Sequence, residues 1–183
     1  MRLVLPAFVA ALFAVGCGGT VPTKPVATAG GGKSTLAVGD PAPPLAVTKW
    51  MNGNPVDQLK PGKVYVLEFW ATWCPPCIEA MPHLSKLQVD NAHKGLVVIG
   101  VTTRDQQGNT HEAVNEFVRK KPGTELSYRV AYCDDDKMDK AYMQAAGQNS
   151  IPCSFVIGRD GKVAFIGHPK ELEKVLPPLL DAK

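Results

Sequence analysis

Neither charge dominates this chain: 20 Lys and Arg stand against 17 Asp and Glu with no basic stripe, so nucleic acid is not an expected partner. No internal repeat appears, which leaves one domain rather than a repeat array. The apolar run at residues 3–15 is too short to cross a bilayer as a stable helix. Cysteine is scarce, five in 183 residues, and Cys133 and Cys153 lack the nearby second Cys or His that a zinc knuckle requires, so no metal site is expected. The glycine run Gly30-Gly31-Gly32-Lys33-Ser34 superficially suggests a phosphate loop. Its first glycine would fall at Ala27 and no strand precedes it, which excludes nucleotide binding.

What is present begins with Trp73-Cys74-Pro75-Pro76-Cys77. The preceding run at 64–70 is continuously apolar except for Glu68, the pattern of a central strand covered on both faces. From Cys74 onward the pattern turns helical, with Ile78, Met81, Leu84 and Leu87 on one face. Cys74 therefore falls at a helix N-terminus, where unpaired N–H groups and the helix dipole stabilise an anion. A thiol there drops below its free pKa of about 8.5 and becomes nucleophilic. Cys74 is expected at an exposed tip as the attacking thiol, with Cys77 one turn inside as the resolving thiol. A static disulfide or a zinc knuckle is the plainer alternative.

Around these residues lie Gly39-Asp40-Pro41-Ala42-Pro43, the run from Glu68 to Cys77, Pro82, and Ile151-Pro152 before a strand. In this order and spacing, from about Val38 to the C-terminus, the chain resembles the thioredoxin superfamily, and within it the extracytoplasmic TlpA/ResA-type thiol-disulfide oxidoreductases. The resemblance implies an α/β thioredoxin-like fold, a mixed sheet with helices on both faces and a strand-helix insertion. It implies no cofactor, disulfide-bonded protein substrates, a membrane-embedded thiol donor and a role in c-type cytochrome maturation. Reduction is the expected direction; Pro75-Pro76 does not fix its sign, so oxidase or isomerase action is the alternative.

Residue by residue, the resemblance implies that Ile151-Pro152 is cis and lies against the two cysteines, contacting substrate together with Trp73, Pro75 and Pro76. A strand-like pairing of Ile151 with an extended partner would accept many sequences. Glu68 stands six residues before Cys74, where thioredoxins carry a buried acid that moves the proton of the inner cysteine; desolvation should raise its pKa. The chain departs from the subfamily where Ala80 replaces a glutamate, the neighbouring Glu79 being rotated by about 100° into solvent. Cys153, following Pro152, puts a third thiol near Cys74. It is read as a buried inert residue, with pairing to Cys133, accessory resolution or soft-metal binding as alternatives.

Arg2, the apolar run and Ala14-Val15-Gly16-Cys17 read as a lipoprotein signal over 1–17 with Cys17 lipidated, a cleaved signal being the alternative. Residues 18–37 read as a Gly/Pro/Thr-rich tether and 38–183 as the folded domain, anchored on the extracytoplasmic, periplasmic face of a bacterial membrane. Further helices are expected at 110–121, with an Asn109 and Glu112 capping box and a Pro122-Gly123 stop; at 135–146; and from 170, broken by Pro177-Pro178. Strands are expected at 96–102 and 128–132, and a hairpin at 154–157 and 162–166 around Asp160-Gly161. His83 and His168 are read as surface residues. The rival of another class is a copper chaperone resembling the Sco type, which spaces its cysteines by three residues rather than two. A peroxiredoxin is excluded because Ala71 stands where that family needs Thr or Ser.

Overall fold

The computed structural model describes residues 35–120 and 126–182. The signal, Cys17, the glycine run and the Pro122-Gly123 stop lie outside the described residues, as does the tether up to residue 34. Six strands form one mixed sheet: β1 Lys49–Asn52, β2 Val64–Phe69, β3 Leu96–Thr103, β4 Arg129–Cys133, β5 Cys153–Ile157 and β6 Val163–Gly167, in the order β1-β4-β3-β2-β5-β6. β2, β3 and β4 run parallel, while β1, β5 and β6 pair antiparallel with their neighbours. The apolar run thus lies at the centre of the sheet, every residue of β2 buried.

Helix α1 (Pro75–Asn91) links β2 to β3, α2 (His111–Lys120) links β3 to β4, and α3 (Leu172–Asp181) follows β6. Two successive parallel crossovers in the same direction put α1 and α2 on one face if both are right-handed. Met81 and Leu84 of α1, Val114 and Val118 of α2 and Leu172, Leu176 and Leu180 of α3 indeed pack with Val64, Val66, Val98, Val130 and Val156. The other face, carrying Tyr65, Leu67, Phe69, Ile99 and Val101, is covered by Met138, Tyr142 and Met143 and by the segment from Leu36. Helical segments therefore flank both faces, as the alternation of β2 demands.

Four local differences from expectation have physical causes. Residues 35–37 belong to the domain: Leu36 is 5 % exposed, and the N–H groups of Thr35 and Leu36 donate to Ala145 O. The expected helix at 135–146 is shorter, residues 137–144 with Asp139–Gln144 π-helical, and Asp135 Oδ1 accepts the Lys137 N–H ahead of its first turn. Thr110, not Asn109, caps α2, its hydroxyl accepting the Ala113 N–H at 3.2 Å. Pro177 and Pro178 lie inside an unbroken α3, on its exposed side, where the carbonyls they leave unpaired face water. The hairpin turn forms at Asp160-Gly161, where Gly161 adopts φ +76°.

Candidate active site

The turn between β2 and α1 builds the centre. Cys74 N–H donates to Ala71 O at 3.1 Å, closing a β-turn with Thr72 and Trp73 at its middle, and α1 starts immediately behind it with Pro75 at its first position. Cys74 is the N-cap, and its Sγ accepts the backbone N–H of Cys77 at 3.3 Å. That N–H points at whatever charge the sulfur carries. Cys74 and Cys77 form a disulfide, with Cα atoms 5.3 Å apart.

The expected exposed tip is corrected by the structure: Cys74 is 3 % and Cys77 2 % exposed. The covering element is the Ile151-Pro152 loop, whose peptide bond is cis and whose Ile151 carbonyl oxygen lies 3.9 Å from Cys74 Sγ. The accessible surface around the disulfide belongs to Trp73, 42 % exposed, and to Pro75 and Pro76. Beside it opens a cleft of about 360 Å³ whose lining includes Trp73, Asp105, Met143, Gln148 and Ile151. Ile151 has no backbone hydrogen-bond partner among the described residues.

Glu68 is the only buried carboxylate among the described residues. It lies on the face of β2 that α1 covers, since Val64, Val66 and Trp70 of the same alternation pack there. Burial pushes its pKa up to about 8, opposed in part by the hydroxyl of Ser154, which donates to Oε2. Among the described residues Oε1 has no partner, and neither has Trp70 Nε1 two residues along. Gly100, opposite Glu68 in the register, keeps this space open: a Cβ there would stand 3.0 Å from Trp70 Nε1 and 3.1 Å from the Tyr128 ring.

Cys133 and Cys153 are free and buried. Cys153 does not join the dithiol: it starts β5 opposite Phe69, and its side chain belongs to the other face of the sheet. Nor do the two pair. They stand three strands apart, on the order of 14 Å, whereas a disulfide needs Cα atoms within about 7 Å. Cys74, Cys77 and Cys153 therefore do not converge on a Cu(I) ion, and no cluster of three metal-ligating side chains occurs among the described residues. Glu79 is exposed; it shares a small cleft with half-buried His83 and His168, the latter capping the 3₁₀ turn Pro169–Glu171.

Asp105 escapes sequence reasoning, and Asn109 is expected only as a helix cap. Asp105 Oδ2 accepts Trp73 Nε1–H at 2.6 Å, and the Asn109 side chain, fully enclosed, accepts from Thr72. The one available signal was Asn109-Thr110, two cap-type residues in succession where a helix needs one.

Residues 37–179 match the family described as Redoxin. Protein FixW of Rhizobium leguminosarum is 32 % identical over 152 residues, 81 % of this chain and 68 % of that protein. The thiol-disulfide oxidoreductase ResA of Bacillus thuringiensis (strain Al Hakam) is 33 % identical over 133 residues, 72 % of this chain and 69 % of that one. Among solved structures, a putative thiol:disulfide interchange protein DsbE from Chlorobium tepidum superposes with a TM-score of 0.58 at 25 % identity, covering 79 % of this chain and 99 % of that one. A conserved protein from Geobacillus kaustophilus reaches 0.66 at 20 % identity, covering 80 % and 83 %, and shares the fold. The chain thus belongs to the Redoxin family and is a thiol-disulfide oxidoreductase of thioredoxin-like fold, with Cys74 and Cys77 as its redox pair.

Proposed function

We propose that this oxidoreductase is exported, tethered to a membrane through lipidated Cys17, and reduces disulfides of other exported proteins. The observation that carries the reading is a cysteine sulfur at the N-cap of α1, facing the Cys77 N–H and sharing a disulfide with Cys77. In the reduced protein the Cys74 thiolate attacks one sulfur of a partner disulfide, and the partner's other sulfur leaves as a thiolate that takes a proton. Cys77 then loses its proton and attacks Cys74 Sγ, releasing the partner as a dithiol and leaving Cys74–Cys77 oxidised. Two electrons have moved to the partner, and a membrane-embedded thiol donor restores them. No cofactor enters this cycle.

Glu68 is assigned the proton of Cys77: a carboxyl with a pKa of about 8 and a free Oε1 exchanges protons near neutral pH. The Ile151 backbone, which pairs with no other backbone group among the described residues, offers an extended substrate a strand-like partner beside Trp73, Pro75, Pro76 and Pro152. Relatives named as a thiol-disulfide oxidoreductase ResA and a thiol:disulfide interchange protein DsbE support exchange with protein disulfides, and the resemblance of the motif supports the reductive direction, with c-type cytochrome maturation on the periplasmic face as the setting.

The test is Cys77→Ser expressed in a bacterial envelope. It should accumulate mixed disulfides through Cys74 with exported proteins that dissolve on adding dithiothreitol, and the membrane fraction should lose the chain in Cys17→Ser. Failure of the Cys77→Ser protein to retain any partner would overturn the reductase reading. Unaltered membrane association of Cys17→Ser would overturn the anchor.

A further inference from the structure

The two residues ahead of Cys74 are both held from outside the turn, by the loop that follows β3. Asn109 lies in the segment after β3, and its amide uses all four of its hydrogen-bonding valences. Oδ1 accepts the Thr72 backbone N–H and the Thr72 hydroxyl, each at 3.0 Å. Nδ2 donates to Thr102 Oγ1 and to Thr103 O, each at 2.7 Å. The orientation of the amide is fixed by chemistry, because the Thr72 N–H only donates and the Thr103 carbonyl only accepts. The loop around Asn109 is itself braced: Asp105 Oδ1 accepts the N–H groups of Gln107 and Asn109 at 2.8 and 2.9 Å, while its other oxygen holds the Trp73 indole.

A side chain 1 % exposed, bonded on one side to the C-terminal end of β3 and on the other to the β2–α1 turn, makes that turn part of the sheet's rigid frame. The turn decides where Cys74 Sγ sits relative to the Cys77 N–H, the first that α1 offers since Pro75 and Pro76 have none, and the stabilisation of a thiolate by a helix start falls off within one helical turn. We propose that Asn109 is a positioning residue for Cys74: through Thr72 it fixes the turn that holds the sulfur on the helix N-terminus, and so sets the reactivity of the thiolate. This rests on Cys74 being the attacking thiol.

The experiment measures the pH dependence of iodoacetamide alkylation at Cys74 in the reduced full-length chain, alongside the thermal midpoint. Asn109→Ala should raise the apparent pKa of Cys74 and slow its alkylation at pH 7 about tenfold, within what a misplacement below 1 Å costs. The control is Gln88→Ala. Gln88 is also a buried amide with two backbone partners, donating to Leu96 O at 3.0 Å and accepting from Val98 N–H at 2.8 Å, but at the far end of α1. It should lower the midpoint and leave the Cys74 profile where it was.

An Asn109→Ala profile superimposed on that of the unsubstituted chain overturns the proposal, and so does an equal shift in Gln88→Ala, which would mark general loosening. Where Asn109→Ala does not fold, Thr72→Val decides. It removes one of the two Thr72 bonds and should slow alkylation about two- to threefold in the same direction, the weight of a single hydrogen bond; an unmoved profile overturns the proposal. If Cys74 of the unsubstituted chain titrates like a free thiol, it is the assignment of Cys74 that fails, a result distinct from every variant comparison.

Discussion

Four of the cysteines fall into two pairs of opposite chemistry. Cys74 and Cys77 sit at the start of a helix, Cα atoms 5.3 Å apart, with a backbone N–H aimed at the first sulfur. Cys133 and Cys153 sit within strands of the same sheet, three strands apart, and burial pushes each thiol up to about 12. All four are almost wholly enclosed, so solvent access does not separate them. What separates them is the backbone. Each strand-end sulfur has one backbone hydrogen bond, at Thr48 for Cys133 and at Gly167 for Cys153, which burial outweighs, whereas the Cys74 sulfur faces the Cys77 N–H at the positive end of the helix dipole.

The largest effect is therefore expected in differential alkylation of the reduced chain under native conditions. A thiol at about 12 is ionised to roughly one part in 10⁵ at pH 7, so Cys133 and Cys153 should label at least about 10³-fold more slowly than Cys74. In guanidinium the three should converge. Mass spectrometry of the tryptic peptides resolves them, with the Cys17 peptide scored apart. Labelling of either strand cysteine within tenfold of Cys74 would break the contrast between helix start and strand end.

How much of this was legible follows from where the signals lie. The run at 64–70, the helical spacing after Cys74 and the Asp160-Gly161 turn are short-range patterns, and the sheet centre, α1 and the hairpin formed as read. Strand β1 carries Lys49-Trp50-Met51-Asn52, half-exposed at a sheet edge, and gives no alternation to read. The side of the sheet on which Cys153 points is fixed by register with Phe69, a pairing over more than 80 residues. Asn109 looked like a cap because cap and clamp need the same side chain; only the closeness of β3 to the β2–α1 turn tells them apart. Near burial of both catalytic thiols was equally invisible, because the covering Ile151-Pro152 loop arrives from 77 residues away.

Glu68 extends the comparison from thiols to a carboxyl. Its pKa is raised from 4.5 to about 8, so the folded protein holds a proton that the unfolded chain releases. The stability tied to that proton is complete below pH 4.5 and is lost as pH climbs through 8. Glu68→Gln, which cannot ionise, should flatten this part of the profile: urea unfolding of the oxidised proteins should diverge with rising pH by on the order of a few kcal/mol in favour of the variant. The same substitution should slow release of the partner from the mixed disulfide. Parallel stability profiles would show that Glu68 ionises as easily in the fold as out of it, and would remove the reason for assigning it the Cys77 proton.

The smallest effect, and the sharpest use of the contrast, belongs to Cys153. It adjoins Pro152, so proximity along the chain argues for a part in the chemistry. Alternation argues against it, because successive side chains of a strand point to opposite faces and Cys153 packs with Phe69, away from the disulfide. Cys153→Ala should cost about 1 kcal/mol of stability, a small cavity in a closed core, and leave insulin reduction by the chain within about twofold. Cys133→Ala, on the same face and farther from the centre, should behave alike. A loss of turnover confined to Cys153→Ala would mean that distance from the dithiol, rather than the face of the sheet, governs which thiols take part.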